Sequence, residues 1–169
     1  RRRTPEGGRV ITCEDITAIR RASAEIETLA FYDPLTGLPN RRLLLDRLGQ
    51  ATHLAQRAGW LGALIFVDLN KFKVLNDTQG HEMGDLLLQE VGQRLHASIR
   101  ASDTVARLGG DEFVIMLCDL PGNMDEAGKL TKKIAEKMLR RLAEPYVLGS
   151  YVHRCSASLG VTLFGNAQV

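Results

Sequence analysis

The chain has 169 residues, 44% hydrophobic and 25% charged, with 22 Lys and Arg against 20 Asp and Glu for a net charge of +2. That balance suits one ordinary domain with a short appendage, and it excludes intrinsic disorder, a nucleic-acid coat and a polybasic membrane patch, although Arg1, Arg2 and Arg3 form a small basic start. The longest apolar stretch, Leu61 to Val67, is too short to span a bilayer, and no signal-peptide pattern opens the sequence; Cys13, Cys118 and Cys155 lack any CxxC or Cys/His spacing and read as ordinary buried thiols of a reducing compartment.

Arg1 to Gly8 is charged and broken by Pro5, Gly7 and Gly8, and Arg9 to Cys13 reads as a strand closing an upstream domain. Glu14 to Ala30 reads as helix, with Ile16, Ile19, Ser23, Ile26 and Ala30 spaced by threes and fours. Two readings of that seam stand: a short two-stranded coiled coil, or an amphipathic helix packed on its own domain. Asp33 to Asn40 is a turn cluster that breaks the helix, and Asp33 with Arg41 is expected to close it as an ion pair. A helix over Arg41 to Ala58 follows, with Leu44, Leu48, Ala51 and Ala55 on one face.

Ala63 to Val67 is continuously apolar, which predicts a central strand buried on both faces. A short helical turn near Lys71 to Leu75 precedes a longer helix from about Gly84 to Ile99, whose buried stripe is Leu87, Val91, Leu95 and Ile99. Thr104 to Leu108 and Phe113 to Leu117 flank Gly109-Gly110-Asp111-Glu112, a tight hairpin signal. Next comes a helix from about Met124 to Ala143 burying Leu130, Ile134, Met138 and Leu142, then a small hairpin of Tyr146 to Leu148 with Tyr151 to His153. In the last strand, Cys155 to Leu163, the odd positions are apolar and one face is covered. The predicted fold is an α/β (α+β) sandwich with a mixed, largely antiparallel sheet.

If the strand ending at Asp68 neighbours the hairpin, Asp68, Asp111 and Glu112 converge on one rim of the sheet. Three carboxylates cannot gather uncompensated, and a hard divalent cation would resolve the repulsion. The plain alternative makes Asp111 and Glu112 turn residues and Asp68 a helix cap. Spacing alone does not choose.

The ordered motifs do choose. Phe31 to Arg41 (FYDPLTGLPNR), Val67 to Lys73 (VDLNKFK), Asn76-Asp77, Gly80 to Asp85 (GHEMGD), Arg107 to Phe113 (RLGGDEF) and Ser158 to Val161 resemble, in order, those of the GGDEF-domain (diguanylate cyclase) family. The resemblance covers Phe31 to about Phe164, while Arg9 to Ala30 resembles the end of a PAS sensor domain and its signalling helix. It therefore divides the chain into residues 1–30 and a catalytic domain at 31–169. What the resemblance implies is condensation of two GTP into cyclic dimeric GMP and pyrophosphate, on a palm fold shared with nucleotidyl cyclases and polymerases.

By the same resemblance, Asp68, the Leu69 carbonyl, Asp111 and Glu112 hold Mg²⁺, or Mn²⁺ in its place. Asp111 or Glu112 takes the proton in catalysis. Lys73 meets phosphate, Asn76 and Asp85 read guanine, His81 either supports base or ribose or is structural, and Gly109 and Gly110 admit the ligand. Arg100 and Asp103 have the RxxD spacing of the family's inhibitory product site. The implied partners are GTP, cyclic dimeric GMP and a second copy of the domain, with no nucleic acid. The expected location is cytoplasmic, with membrane attachment through other parts of a parent protein. The family continues with a further helix and a Gly-Arg-Asn segment, so a fragment trimmed at both ends is expected. Two other readings stand: a module that binds cyclic dimeric GMP at Arg100 and Asp103 without turnover, and a dimerising partner for a hydrolase.

Overall fold

The computed structural model describes residues 2–3, 9–10, 15–17 and 28–165. It falls into two compact units, residues 1–30 and 31–169. In the first, Arg2–Arg3 pairs antiparallel with Arg9–Val10, and Ile16 is exposed. Ile19, Ser23 and Ile26 of the expected seam, and Cys13, lie outside the described residues.

The second unit begins with a turn and then α1 (Arg41–Ala58). The helix starts there because Asn40 Oδ1 accepts hydrogen bonds from the Arg42 and Leu43 amides, at 2.9 and 3.1 Å. It stops at Gly59, whose φ of +74° suits glycine. β1 (Leu61–Leu69) leads through Asn70 and Lys71 into α2 (Phe72–Gln79), and Gly80 alone separates α2 from α3 (His81–His96). β2 (Thr104–Gly109) and β3 (Glu112–Leu120) form the central hairpin. α4 (Met124–Leu142), capped by Asn123, is followed by the small hairpin β4 (Tyr146–Leu148) and β5 (Tyr151–His153), and then by β6 (Ala157–Gly165).

The main sheet runs β2-β3-β1-β6, and every pairing in it is antiparallel. Strand–helix–strand–strand–helix–strand in that order is the split βαβ arrangement, the α+β sandwich expected from the sequence. One face carries the larger core: Ile65, Val67 and Leu69 of β1 and Phe113, Ile115 and Leu117 of β3 meet Leu87, Val91 and Leu95 of α3 and Met138 and Leu142 of α4. On the opposite face, α1 sets Leu44 and Ala51 against Ala106, Val114 and Met116. Each of the Val, Leu, Ile, Phe and Met side chains among these contributes about 1.5–3 kcal/mol when fully buried.

Three readings of burial need correction. Burial of β1 on both faces is only partial at Leu64, which packs under α1, and fails at Phe66, which lies beyond that cluster and is 47% exposed. In α4 the fully buried positions are Ala127, Thr131, Ala135, Met138 and Leu142, with Leu130 and Ile134 only partly covered, because small residues let the helix sit close to the sheet. On β6, Val161 is exposed although its odd-numbered neighbours are partly covered.

Candidate active site

β1 alternates strictly at its end: Val67 and Leu69 are buried in the main core, which turns the exposed Asp68 to the other face. The ladder pairs Asp68 with Glu112 of β3 on one side and Ser158 of β6 on the other. Asp68 and Glu112 are therefore cross-strand neighbours, and Asp111 sits one residue away at the hairpin tip. Gly109 and Gly110 have φ of +141° and +51°, conformations that L side chains avoid, so the tip requires them. A register shift between Arg107 and Gly109 kinks β2 as it reaches the tip. Beside the carboxylates lies a groove of about 380 Å³ lined by Phe66, Asp68, Leu108, Glu112, Ser158 and Gly160, among others.

Among the described residues, no group of three or more His, Cys, Asp or Glu forms a ready-made metal cage. Neither Asp68, Asp111 nor Glu112 has a basic partner there. Free carboxylates at a strand end, beside an open groove, fit Mg²⁺, which keeps one or two protein carboxylates and completes its shell with water and phosphate. The turn after β1 is pinned to β6: Asn70 donates through its backbone to the Ser156 carbonyl (2.9 Å) and through Nδ2 to Ser156 Oγ (3.0 Å), and Ser158 Oγ donates to Asn70 Oδ1 (2.9 Å). These contacts hold the Asp68–Leu69 end in register. Lys71, at φ +61°, then turns the chain sharply into α2.

Asn76 and Asp85 arrive on adjacent helices. α2 runs longer than the sequence reading, to Gln79, and α3 begins at His81, because Gly80 at φ +88° restarts the helix in one residue. Gly84 faces Asn76 so closely that a Cβ there would stand 1.9 Å from Asn76 Oδ1. That oxygen is buried and has no hydrogen-bond partner. A buried, unsatisfied amide oxygen is costly unless something donates to it. Asp85 is exposed next to Gly84, His81 is exposed in the first turn of α3, and Lys73 is exposed on α2. Gly84 is thus the close neighbour of the candidate residue Asn76, and the sequence reading used it only as motif spacing; the contact is a helix–helix fact with no local signal.

Arg100 and Asp103 lie at the opposite end of β2 from the glycine tip. Asp103 is built into the turn: its Oδ2 accepts from the Arg100 amide and its Oδ1 from the Cys118 amide, both at 3.1 Å. Arg100 is exposed. A hollow of about 370 Å³ opens there, lined by Arg47, Trp60, Asp103, Cys118 and Asp119 among others, with Arg47 Nη1 donating to Thr104 Oγ1 at 3.0 Å. Burial, then the charges of Asp103 and Asp119, push the Cys118 thiol up to about 11, so it stays protonated and unreactive near neutrality.

The expected Asp33–Arg41 pair is not formed. Asp33 instead pairs with Arg107, whose Nη1 donates to both carboxylate oxygens at 2.9 and 3.1 Å, while Arg107 Nε and Nη2 donate to the Gly110 carbonyl at 3.1 and 2.8 Å. Arg41 opens α1, whereas Arg107 is brought to the turn through β2, whose Arg107 amide donates to the Pro39 carbonyl at 3.0 Å. Burial raises the Asp33 pKa, but hydrogen bonds from Thr36 and Arg107 outweigh it and leave the carboxyl below its ordinary value.

The fold and rim define an α+β domain with acidic residues at a strand end and a helix pair that carries Asn76 and Asp85. The family described as the GGDEF domain of diguanylate cyclases matches residues 30–168, and the chain belongs to that family. It is 46% identical over 153 residues to the bifunctional diguanylate cyclase/cyclic di-GMP phosphodiesterase MucR of Pseudomonas aeruginosa, covering 90% of this chain and 22% of that protein. It is 32% identical to the diguanylate cyclase DgcP of Escherichia coli, over 86% of this chain and 41% of that one. The chain thus spans about a fifth of MucR and 19% of the next curated relative, YkoW of Bacillus subtilis. A crystal structure of a sensory box/GGDEF family protein from Caulobacter crescentus superposes with a TM-score of 0.74 at 35% identity, covering 79% of this chain and 83% of that one. The GGDEF domain of DgcB from the same organism, solved in complex with c-di-GMP, gives 0.69 at 25% identity over 79% and 77% of the two chains. Among the described residues no helix is long and apolar enough to cross a membrane.

Proposed function

We propose that this domain condenses two GTP into cyclic dimeric GMP, releasing two pyrophosphates, with two copies of the domain facing each other. The observation that carries the reading is the register that sets Asp68 opposite Glu112 under an intact Gly-Gly-Asp-Glu tip, on a fold shared with diguanylate cyclases. Asp68, Asp111, Glu112 and the Leu69 carbonyl would hold Mg²⁺, which when bound makes the ribose 3′-hydroxyl more acidic and neutralises charge on the attacked phosphate.

Asp111 or Glu112 accepts the 3′-hydroxyl proton as that oxygen bonds to the α-phosphorus of the facing nucleotide and pyrophosphate leaves. Lys73 meets the phosphates as a mobile point charge. Asn76 and Asp85 read the base. Guanine presents N1–H and an exocyclic amine side by side, which a carboxylate accepts together. The product is two-fold symmetric and each domain has one nucleotide site, so holding two domains face to face converts an encounter into an effectively unimolecular step.

Incubating the chain at high concentration with GTP and Mg²⁺ and resolving the products by chromatography tests the reading; absence of cyclic dimeric GMP would overturn it for this chain. Adenine lacks the N1–H, leaving Asp85 facing it unpaired. Asp85→Ala is accordingly expected to lower the GTP-over-ATP preference on the order of 10²-fold, measured by competition binding. Unchanged selectivity would assign base reading elsewhere.

We further propose that Arg100 and Asp103 form a regulatory product site. Support comes from the hollow that Asp103 lines and from the relative solved with c-di-GMP. Arg100→Ala should weaken cyclic dimeric GMP binding roughly 10- to 100-fold, the worth of a hydrogen bond to a charged group, while sparing the initial rate. Calorimetry with unchanged affinity would remove the assignment.

A further inference from the structure

The tip that carries Asp111 and Glu112 should be loose. Gly109 and Gly110 are exposed, both have positive φ, and β2 is the edge strand of the sheet. Such a pair of glycines has more conformational freedom than any other dipeptide. Yet the Gly110 carbonyl is gripped at two points by Arg107, through Nε and Nη2. The same guanidinium, 11% exposed, clasps both oxygens of Asp33, itself 15% exposed. Asp33 is fixed in turn: it accepts from the Thr36 amide (2.9 Å) and hydroxyl (2.7 Å), its own amide donates to the Leu38 carbonyl (2.8 Å), and its carbonyl accepts from the Gly37 amide (2.9 Å). Gln89 of α3 holds the turn from another side by donating to the Leu35 carbonyl at 3.1 Å.

We propose that Arg107 is a positioning residue that makes the turn at 33–40 the reference frame for the catalytic hairpin, so that movement of that turn is transmitted to Asp111 and Glu112. The kinetic part of this inference rests on the reaction proposed above; the positional part does not. A guanidinium suits the task because its planar fork fixes direction as well as distance, which an ammonium does not. Its grip is on main chain, so no rotamer change in the hairpin can absorb a shift. The turn is also joined to β2 by the hydrogen bond from the Arg107 amide to the Pro39 carbonyl, and the Arg107 side chain carries that connection on to the tip itself.

The test compares Arg107→Ala, Arg107→Lys and Asp33→Asn in the full chain, without nucleotide, by ¹⁵N relaxation at Gly110, Asp111 and Glu112. In the unaltered chain these amides should show order parameters near the rigid value of about 0.85, falling below about 0.6 in Arg107→Ala. Ile65 and Ile115, in the sheet centre, should not change. Asp33→Asn, which keeps the grip on Gly110 but loosens its anchor, should fall between. Arg107→Lys should not restore rigidity. With GTP and Mg²⁺, kcat in Arg107→Ala should drop on the order of 10²-fold at nearly constant KM, because the guanine-reading side chains are untouched.

A hairpin as rigid in Arg107→Ala as in the unaltered chain, or loosening shared equally by Ile65 and Ile115, would overturn the proposal. If the unaltered chain makes no product, the proposed reaction is what fails, and the relaxation data still decide the positioning role. If Arg107→Ala does not fold, the comparison of Arg107→Lys and Asp33→Asn with the unaltered chain decides it.

Discussion

Asp68→Ala is expected to reduce cyclic dimeric GMP synthesis on the order of 10³-fold, since removing one fixed electrostatic contact from a reacting phosphate typically costs that much. The fold should be indifferent to the change. Asp68 is exposed and makes no ion pair among the described residues, so its removal should shift stability by no more than about 0.5 kcal/mol. Chromatographic product analysis alongside a thermal melt measures both. Retained synthesis in a normally melting Asp68→Ala protein would disprove the carboxylate assignment, whereas a large drop in melting temperature would make the lost activity uninformative. Asp68→Asn separates charge from shape, and it should be nearly as inactive as Asp68→Ala, because a neutral amide does not replace the carboxylate at a hard cation.

Phe113→Ala should have the opposite profile, with its primary effect on stability. Phe113 is fully buried in the larger core, and the ladder pairs it with Val67 on one side and Arg107 on the other. Truncating such a ring costs about 3–5 kcal/mol, a large part of the roughly 5–15 kcal/mol that holds an ordinary domain folded. For a domain of this size the melting temperature should fall by roughly 10–20 °C. Phe113→Leu, which keeps most of the apolar volume, should recover most of that loss. A Phe113→Ala protein melting within a few degrees of the unaltered chain would mean that the ring is replaceable by neighbouring side chains.

Local signals located the elements well where the physics is local. Asn40 and Gly59 bracket α1, and Asn123 opens α4, because side-chain caps and left-handed glycines act within one turn of the helix end. Gly109 to Glu112 marked the hairpin for the same reason. The order of motifs from Phe31 to Val161 was enough to name the family. Non-local pairings were not legible. Arg41 is the nearest arginine to Asp33 after the turn, but the guanidinium that reaches it comes from a strand 74 residues away. Nor does the sequence say that α1 covers Leu64 and stops short of Phe66, which leaves the groove beside Asp68 open. The contact of Gly84 with Asn76 depends on how two helices pack, and the motif spacing carries it only as an unexplained glycine.

Arg94 makes a second guanidinium joint, and its chemistry differs in one respect. It lies over the Tyr146 ring at 3.7 Å and donates only to backbone carbonyls: those of Arg141 and Glu144 through Nη1, both at 2.8 Å, and that of Pro145 through Nη2 at 3.0 Å. None of these acceptors titrates, and a guanidinium keeps its charge at any pH at which the protein is folded. Asp33, the acceptor at the other joint, does titrate. Its pKa is lowered on folding, so its contribution is complete above the ordinary carboxyl value and is lost as pH falls through the lowered one. Acidification therefore unfastens the two joints unequally. The seam between α3 and the end of α4 stays closed while the Asp33 anchor lets go, which makes the turn and the glycine tip the acid-labile corner of the domain and the helix pair its acid-resistant frame.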